Sequence, residues 1–178
     1  MRIQDIVYIS LFAALTAVLG LIPRIDPGIV PVPITAQSLG PMLAGSILGA
    51  RRGGLSQALF VLLVAMGLPL LSGGRGGLGV FAGPSAGFII GFPLAAAAVG
   101  LLTERFWSRL TFCRALAANV LGGVVVLYAI GVPVLVIVTG SLKAAWGAAV
   151  FLPGDALKAA LAALIAIFVK RGYPLIER

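Results

Sequence analysis

The sequence predicts an all-α membrane protein, a single bundle of six transmembrane helices with the N- and C-termini cytoplasmic. Three observations carry this. Of 178 residues, 61% are hydrophobic and 10% charged, whereas a water-soluble domain carries roughly 25% charged residues. Mean hydropathy is +1.16, so lipid is the solvent that such a surface suits. Six apolar stretches follow one another with short breaks, and the basic residues gather at alternate breaks.

A helix crosses the roughly 30 Å hydrocarbon layer in about 20 apolar residues. The first span on this measure covers 6–22 and ends at Pro23-Arg24; the second covers 34–50 and stops at Arg51-Arg52. The third covers 55–71, the fourth 82–103, the fifth 115–138 and the sixth 151–169, just before Lys170-Arg171. Gly131-Val132-Pro133 interrupts the fifth, because proline removes a helical hydrogen bond and crowds the preceding turn. A shorter fifth helix with a re-entrant 134–138 stays open as the alternative. Arg2 ahead of an apolar run looks like the start of a secretory signal, but no small-residue cleavage site follows, so it reads as a retained first helix. The chain is read as one domain, 1–178. The 24 glycines suit close helix packing in lipid, and no internal repeat suggests an inverted-repeat transporter.

The net charge of +8 raises the question of a nucleic-acid partner. The positions of the charges answer it: they form short clusters between apolar runs, not a basic face, so the partner they imply is the lipid bilayer and no nucleic acid is expected. With the N-terminus inside, Arg2, Arg51, Arg52, Arg105, Arg109, Arg114, Lys170, Arg171 and Arg178 face the cytoplasm, against Arg24, Arg75, Lys143 and Lys158 outside. That imbalance is the one the positive-inside rule requires. The lone Cys113 permits no internal disulfide.

Unusual residues collect in three segments on the outer side: 30–38, 72–79 and 151–158. Asp155 and Lys158 are the sharpest signal, since a charge near a helix centre costs about 2.5–3.5 kcal/mol on insertion. At i and i+3 they share a helical face and offset each other's charge. Two readings stand: a pair that reaches the headgroups, with Asp155 capping a helix after Pro153-Gly154, or a pair that grips a ligand. Gly74-x-Gly76-x-x-Gly79 formally matches a dinucleotide fingerprint, but that fingerprint needs a strand before it and a βαβ context. It reads either as a plain connector or as a loop whose backbone and Arg75 approach a ligand closely, which glycine's missing Cβ allows. Thr35, Gln37 and Ser38 open the second span and are candidate inward-pointing donors and acceptors. Phe88, Tyr128 and Trp146 are candidate pocket walls, with interface anchoring an equal reading for the last two. Gln57 and Asn119 read as polar glue between helices, and Ala13-x-x-x-Ala17 as a close-packing pair.

With these residues in view, the chain resembles the BioY family, the biotin-specific substrate-binding (S) components of energy-coupling factor (ECF) transporters. The resemblance covers nearly the whole length. It rests on Val32-Pro33-Ile34-Thr35-Ala36-Gln37-Ser38 leading into 39–45, on Gly67-Leu68-Pro69 followed by 73–77, on Gly83-Pro84-Ser85-Ala86-Gly87, and on Phe151-Leu152-Pro153-Gly154-Asp155-x-x-Lys158. Phe88 departs from a tyrosine common in the family, and Ser85-Ala86 from Thr-Gly. The resemblance implies high-affinity biotin binding from outside, with Asp155, Lys158, Arg75, Gly74, Gly76, Gln37 and Phe88 at the site. It also implies a place in the bacterial cytoplasmic membrane beside a membrane coupling (T) subunit, met through Ala13 and Ala17, and two cytoplasmic ATPase subunits. Biotin is then a ligand; no cofactor, metal or catalytic residue is expected.

The enzymatic rivals fail on chemistry. An intramembrane serine protease needs a base such as histidine to activate its nucleophile, and the chain has none. An aspartyl protease needs two carboxylates sharing a proton, but Asp5, Asp26, Glu104 and Glu177 fall near predicted span ends, away from Asp155. An S component for another vitamin, or a biotin transporter that works without coupling subunits, remains as the alternative.

Overall fold

The computed structural model describes residues 2–173, 175 and 176; Glu177, set aside above as a carboxylate near a span end, and Arg178, assigned above to the cytoplasmic side, lie outside them. The described residues are helical apart from loops and two isolated β-bridges, Ile25–Ile34 and Leu71–Arg75. Helix α1 spans Ile3–Leu19 and buries Ile9, Phe12, Ala13 and Thr16, the 3–4 spacing of one helical face. Its start is fixed by the Arg2 backbone N–H, which donates to Asp5 Oδ2 at 2.8 Å, and by Asp5 Oδ1, which lies 2.7 Å from Arg52 Nε on the next helix.

Helix α2, Leu39–Ala65, takes in most of the second and third expected spans, with non-helical backbone at Gly49. A Cβ on Gly53 would sit 2.8 Å from the Ala44 carbonyl oxygen. Nine residues of straight helix would hold these positions about 13 Å apart, so the chain folds back at Gly49 and residues 39–48 pack against 50–65. The expected stop at Arg51-Arg52 is therefore corrected: the turn is a single glycine, and both arginines are helical. Gly49 has φ +84° and ψ −177°, a region open in practice to glycine alone. The Glu104 carboxylate closes the turn by accepting from the Ala50 N–H at 2.8 Å.

Helix α3, Ala86–Arg105, packs along both arms of α2 through Ala95, Ala96, Val99 and Gly100. Helix α4, Phe112–Ala118, runs through a π-helical segment, Asn119–Val126, into α5, Leu127–Thr139. Pro133 lies inside α5, so the fifth span continues past it and the alternative of an early end does not occur; in lipid, stopping would leave more backbone groups unpaired than one proline removes. Short α6, Lys143–Gly147, leads to α7, Leu152–Gly172, whose last turn carries Lys170 and Arg171 where the helix dipole favours cations.

Among the described residues, four helical stretches are long and apolar enough to cross a membrane: Ala36–Ala65, Ala86–Arg105, Phe112–Thr139 and Lys143–Gly172; Ile3–Leu19 is a shorter apolar helix. Their outward faces carry Val7, Leu11, Leu94, Leu101, Leu121, Leu157 and Phe168, all exposed. The interior holds polar glue: Gln57 Nε2 donates to Thr16 Oγ1 at 3.0 Å, and Ser46 Oγ donates to Asn119 Oδ1 at 3.1 Å. This is a multi-pass membrane protein in which packing, not water, selects the small interior residues.

Candidate ligand-binding site

Pro153 lies in the first turn of α7, and the N-cap position is Phe151, so Asp155 stands within the first turn and does not cap the helix. Its side chain turns into the bundle and is 7% exposed; that of Lys158 is 16% exposed. Asp155 Oδ1 accepts from Lys158 Nζ at 3.0 Å and from Ser38 Oγ at 3.1 Å. Oδ2 accepts from the Tyr128 hydroxyl at 2.7 Å. Lys158 Nζ also donates to Ser38 Oγ at 2.8 Å. A buried ion pair persists only when its remaining polar atoms are also satisfied, and Ser38 and Tyr128 do that here.

These groups open on a cavity of about 80 Å³, several times the 10–15 Å³ that one water needs. It is lined by 32–35, Gln37, Ser38, Leu71, Arg75, Ser85, Phe88, Ile89, Phe92, Leu127, Tyr128, Phe151, Asp155 and Lys158. All three segments singled out in the sequence thus converge on one space. Phe88 meets Tyr128 and Phe151 edge-on, with centroids 6.0 and 6.3 Å away. Gly131 makes room for it: a Cβ there would lie 2.4 Å from the Phe88 ring. Apolar walls with a few convergent polar groups are what a small-molecule site requires.

Arg75 arrives through a tight turn in which the Leu71 N–H donates to the Arg75 carbonyl at 3.0 Å. Gly73 and Gly74 have φ of +81° and +69°, so this turn demands two left-handed residues in a row. Burial and the neighbouring Arg24 guanidinium press the Arg75 pKa down, partly offset by Asp26; arginine stays cationic regardless. Gly74 and Gly76 do not line the cavity. Gly74 shapes the turn, and Gly76 lies against the Leu68 carbonyl, where no Cβ would fit.

Gln37 borders the cavity, yet its amide is engaged within the protein. Nε2 donates to the Thr16 and Leu70 carbonyls at 3.2 and 2.9 Å, and Oε1 accepts from the Ser72 N–H at 3.0 Å. Ser72 in turn accepts from Arg75 Nε at 3.4 Å. Gln37 therefore ties α1, α2 and the Arg75 loop together. Gln37→Ala is expected to lower stability by about 2–4 kcal/mol, since each orphaned buried group costs about 1–3 kcal/mol; thermal unfolding in detergent measures it, and an unchanged midpoint would deny the clamp.

Ala13 is 3% exposed and packs with Phe60, Val64, Phe92 and Leu127, with Ala17 against the same cluster. Ala13 is taken up by packing inside the chain, Ala17 stays partly exposed, and the outward side of α1 is Val7, Leu11, Ala14 and Val18. Ser38 and Tyr128 are the residues that sequence reasoning left without a firm role. Their signal was weak because each meets Asp155 only through space, 117 and 27 positions away. Trp146, at 85% exposed, lies outside the cavity.

An apolar bundle with a polar-headed cavity is the architecture of a membrane-embedded binding protein. The chain matches the BioY family over residues 1–175 and belongs to it. It is 50% identical to the biotin transporter BioY of Rhizobium etli, over 99% of this chain and 98% of that one. It is 46% identical to the biotin transporter BioY of Rhodobacter capsulatus, over 92% and 91%. A crystal structure of the S-component for biotin from an ECF-type ABC transporter superposes with a TM-score of 0.90 at 31% identity, covering 95% of this chain and 92% of that chain.

Proposed function

We propose that this protein captures biotin from outside the bacterial cytoplasmic membrane and is the S component of an ECF transporter. The observation that carries the reading is the unfilled valence of the buried pair. A carboxylate offers about four acceptor positions and an ammonium three protons. Asp155 already accepts three hydrogen bonds and Lys158 donates two, which leaves one acceptor on Oδ2 and one proton on Nζ. A ureido ring presents an N–H beside a carbonyl oxygen and matches that remainder. The aliphatic chain and thioether ring of biotin suit the Phe88, Phe92, Leu127 and Phe151 walls, and Arg75 receives the carboxylate.

In this reading the chain crosses the membrane six times, the two arms of α2 counting as two crossings, with both termini cytoplasmic and the basic clusters inside. The sequence carries no Walker motif, so ATP hydrolysis belongs to two cytoplasmic ATPase partners acting through a membrane coupling subunit. That subunit meets α1 on its outward side, next to the Ala13/Ala17 pair.

Biotin is expected to co-purify or to raise the melting temperature more than any other member of a vitamin panel. Arg75→Gln is expected to weaken biotin about tenfold or more, the loss of a charged hydrogen bond of about 1.5–3 kcal/mol, and to leave biotin methyl ester nearly unaffected. Equal losses for acid and ester, by calorimetric titration, would remove Arg75 from the carboxylate.

A further inference from the structure

Tyr128 is delivered to Asp155 by an irregularity one turn earlier. The buried face of α4 carries Ala115, Ala118 and Asn119. Continued at 3.6 residues per turn from Ala115, that face would pass near positions 126, 129, 133 and 137. Instead Leu127, Gly131 and Leu135 are buried, while Ala129, Pro133 and Ile137 are exposed. By Leu127 the stripe has slipped by about one residue, roughly 100° of rotation. The slip falls where the backbone is π-helical, at Asn119–Val126, and a π-turn is the form in which a helix holds a surplus residue. Close packing fixes that segment: a Cβ on Gly122 would lie 2.4 Å from the Val99 nitrogen, and one on Gly123 would lie 2.6 Å from Met42 Cγ.

We propose that Tyr128 is a positioning residue for Asp155, and that the π-helical segment 119–126 stores the extra residue that aims it. The hydroxyl holds Oδ2, so the remaining acceptor of the carboxylate points into the cavity. The same rotation places Gly131 under Phe88. This rests on the biotin reading for its affinity readout and stands on helix register for the rest.

A helix with one residue in surplus tolerates loss and gain unequally. Deleting Leu121, which is 51% exposed, lets the segment relax to α-helix with Tyr128 still facing Asp155; biotin affinity is expected within about threefold of the parent. Inserting an alanine between Leu121 and Gly122 turns Tyr128 away, and affinity is expected to fall more than a hundredfold. Tyr128→Phe keeps the ring and loses the hydroxyl, with an expected five- to thirtyfold loss and little change in melting temperature. Register is read without biotin by nitroxide labels on single cysteines at Ala129 and Ile137 in a Cys113→Ser background. Oxygen-accessible labels are expected in the parent and the deletion, shielded ones in the insertion. Equal damage from deletion and insertion in affinity and in labelling overturns the π-turn's role. Unchanged affinity in Tyr128→Phe overturns Tyr128's. A parent that binds no biotin refutes the proposed function alone, because the labels still report the register.

Discussion

Asp155→Asn is expected to reduce biotin affinity ten- to a hundredfold, with the protein still folded. Asparagine keeps the shape and one acceptor oxygen. Its amide nitrogen, however, offers protons either where Lys158 and Ser38 offer theirs or where Tyr128 does, and a charge-assisted hydrogen bond worth about 1.5–3 kcal/mol is lost. Asp155→Ala goes further, leaving the Lys158 ammonium without its partner; breaking a buried pair costs about 3–5 kcal/mol of stability. Stability and function separate in Asp155→Leu/Lys158→Leu. With both charges gone, it is expected to unfold later than either single variant and yet to bind no biotin. Calorimetric titration and thermal unfolding on the same preparations distinguish these outcomes; parental affinity in Asp155→Asn would place biotin elsewhere.

A stability effect of similar size is expected at the α2 turn. Gly49→Ala places a methyl at φ +84°, a strain of about 1–3 kcal/mol, and sets it 2.2 Å from Glu104 Oε1. Moving that carboxylate also releases the Ala50 N–H. Together these are expected to cost more than about 3 kcal/mol, since overpacking adds about 1–3 kcal/mol of its own. Adding Glu104→Ala should recover only the overlap, because the backbone strain stays. A parental melting temperature in Gly49→Ala would mean that the turn is not as described.

What the sequence revealed follows from which forces are local. Hydropathy is summed over a window, so apolar runs announce the helices, and a charged pair in such a run announces Asp155 and Lys158. The turn between the arms of α2 escaped because Arg51-Arg52 looks like a boundary, whereas the reversal needs only the backbone freedom of Gly49. Pro133 left an early end open as an alternative, which fails because its local penalty is smaller than that of ending a helix in lipid. Gln37 was legible as a polar residue at the site but not as a clamp, since its partners come from α1 and from the loop after α2. Tyr128 could not be assigned by periodicity, because the π-segment breaks the periodicity just before it.

The folded-back α2 has one more consequence. Its longer arm, 50–65, rises about 24 Å at 1.5 Å per residue, short of the roughly 30 Å acyl layer. If the two arms cross separately, as proposed, the bilayer pinches inward around this corner or Arg51 stretches its side chain toward the headgroups, each a modest mismatch penalty. On that proposal the protein shapes its own lipid surroundings, and membranes with shorter acyl chains are the ones that fit it with least distortion.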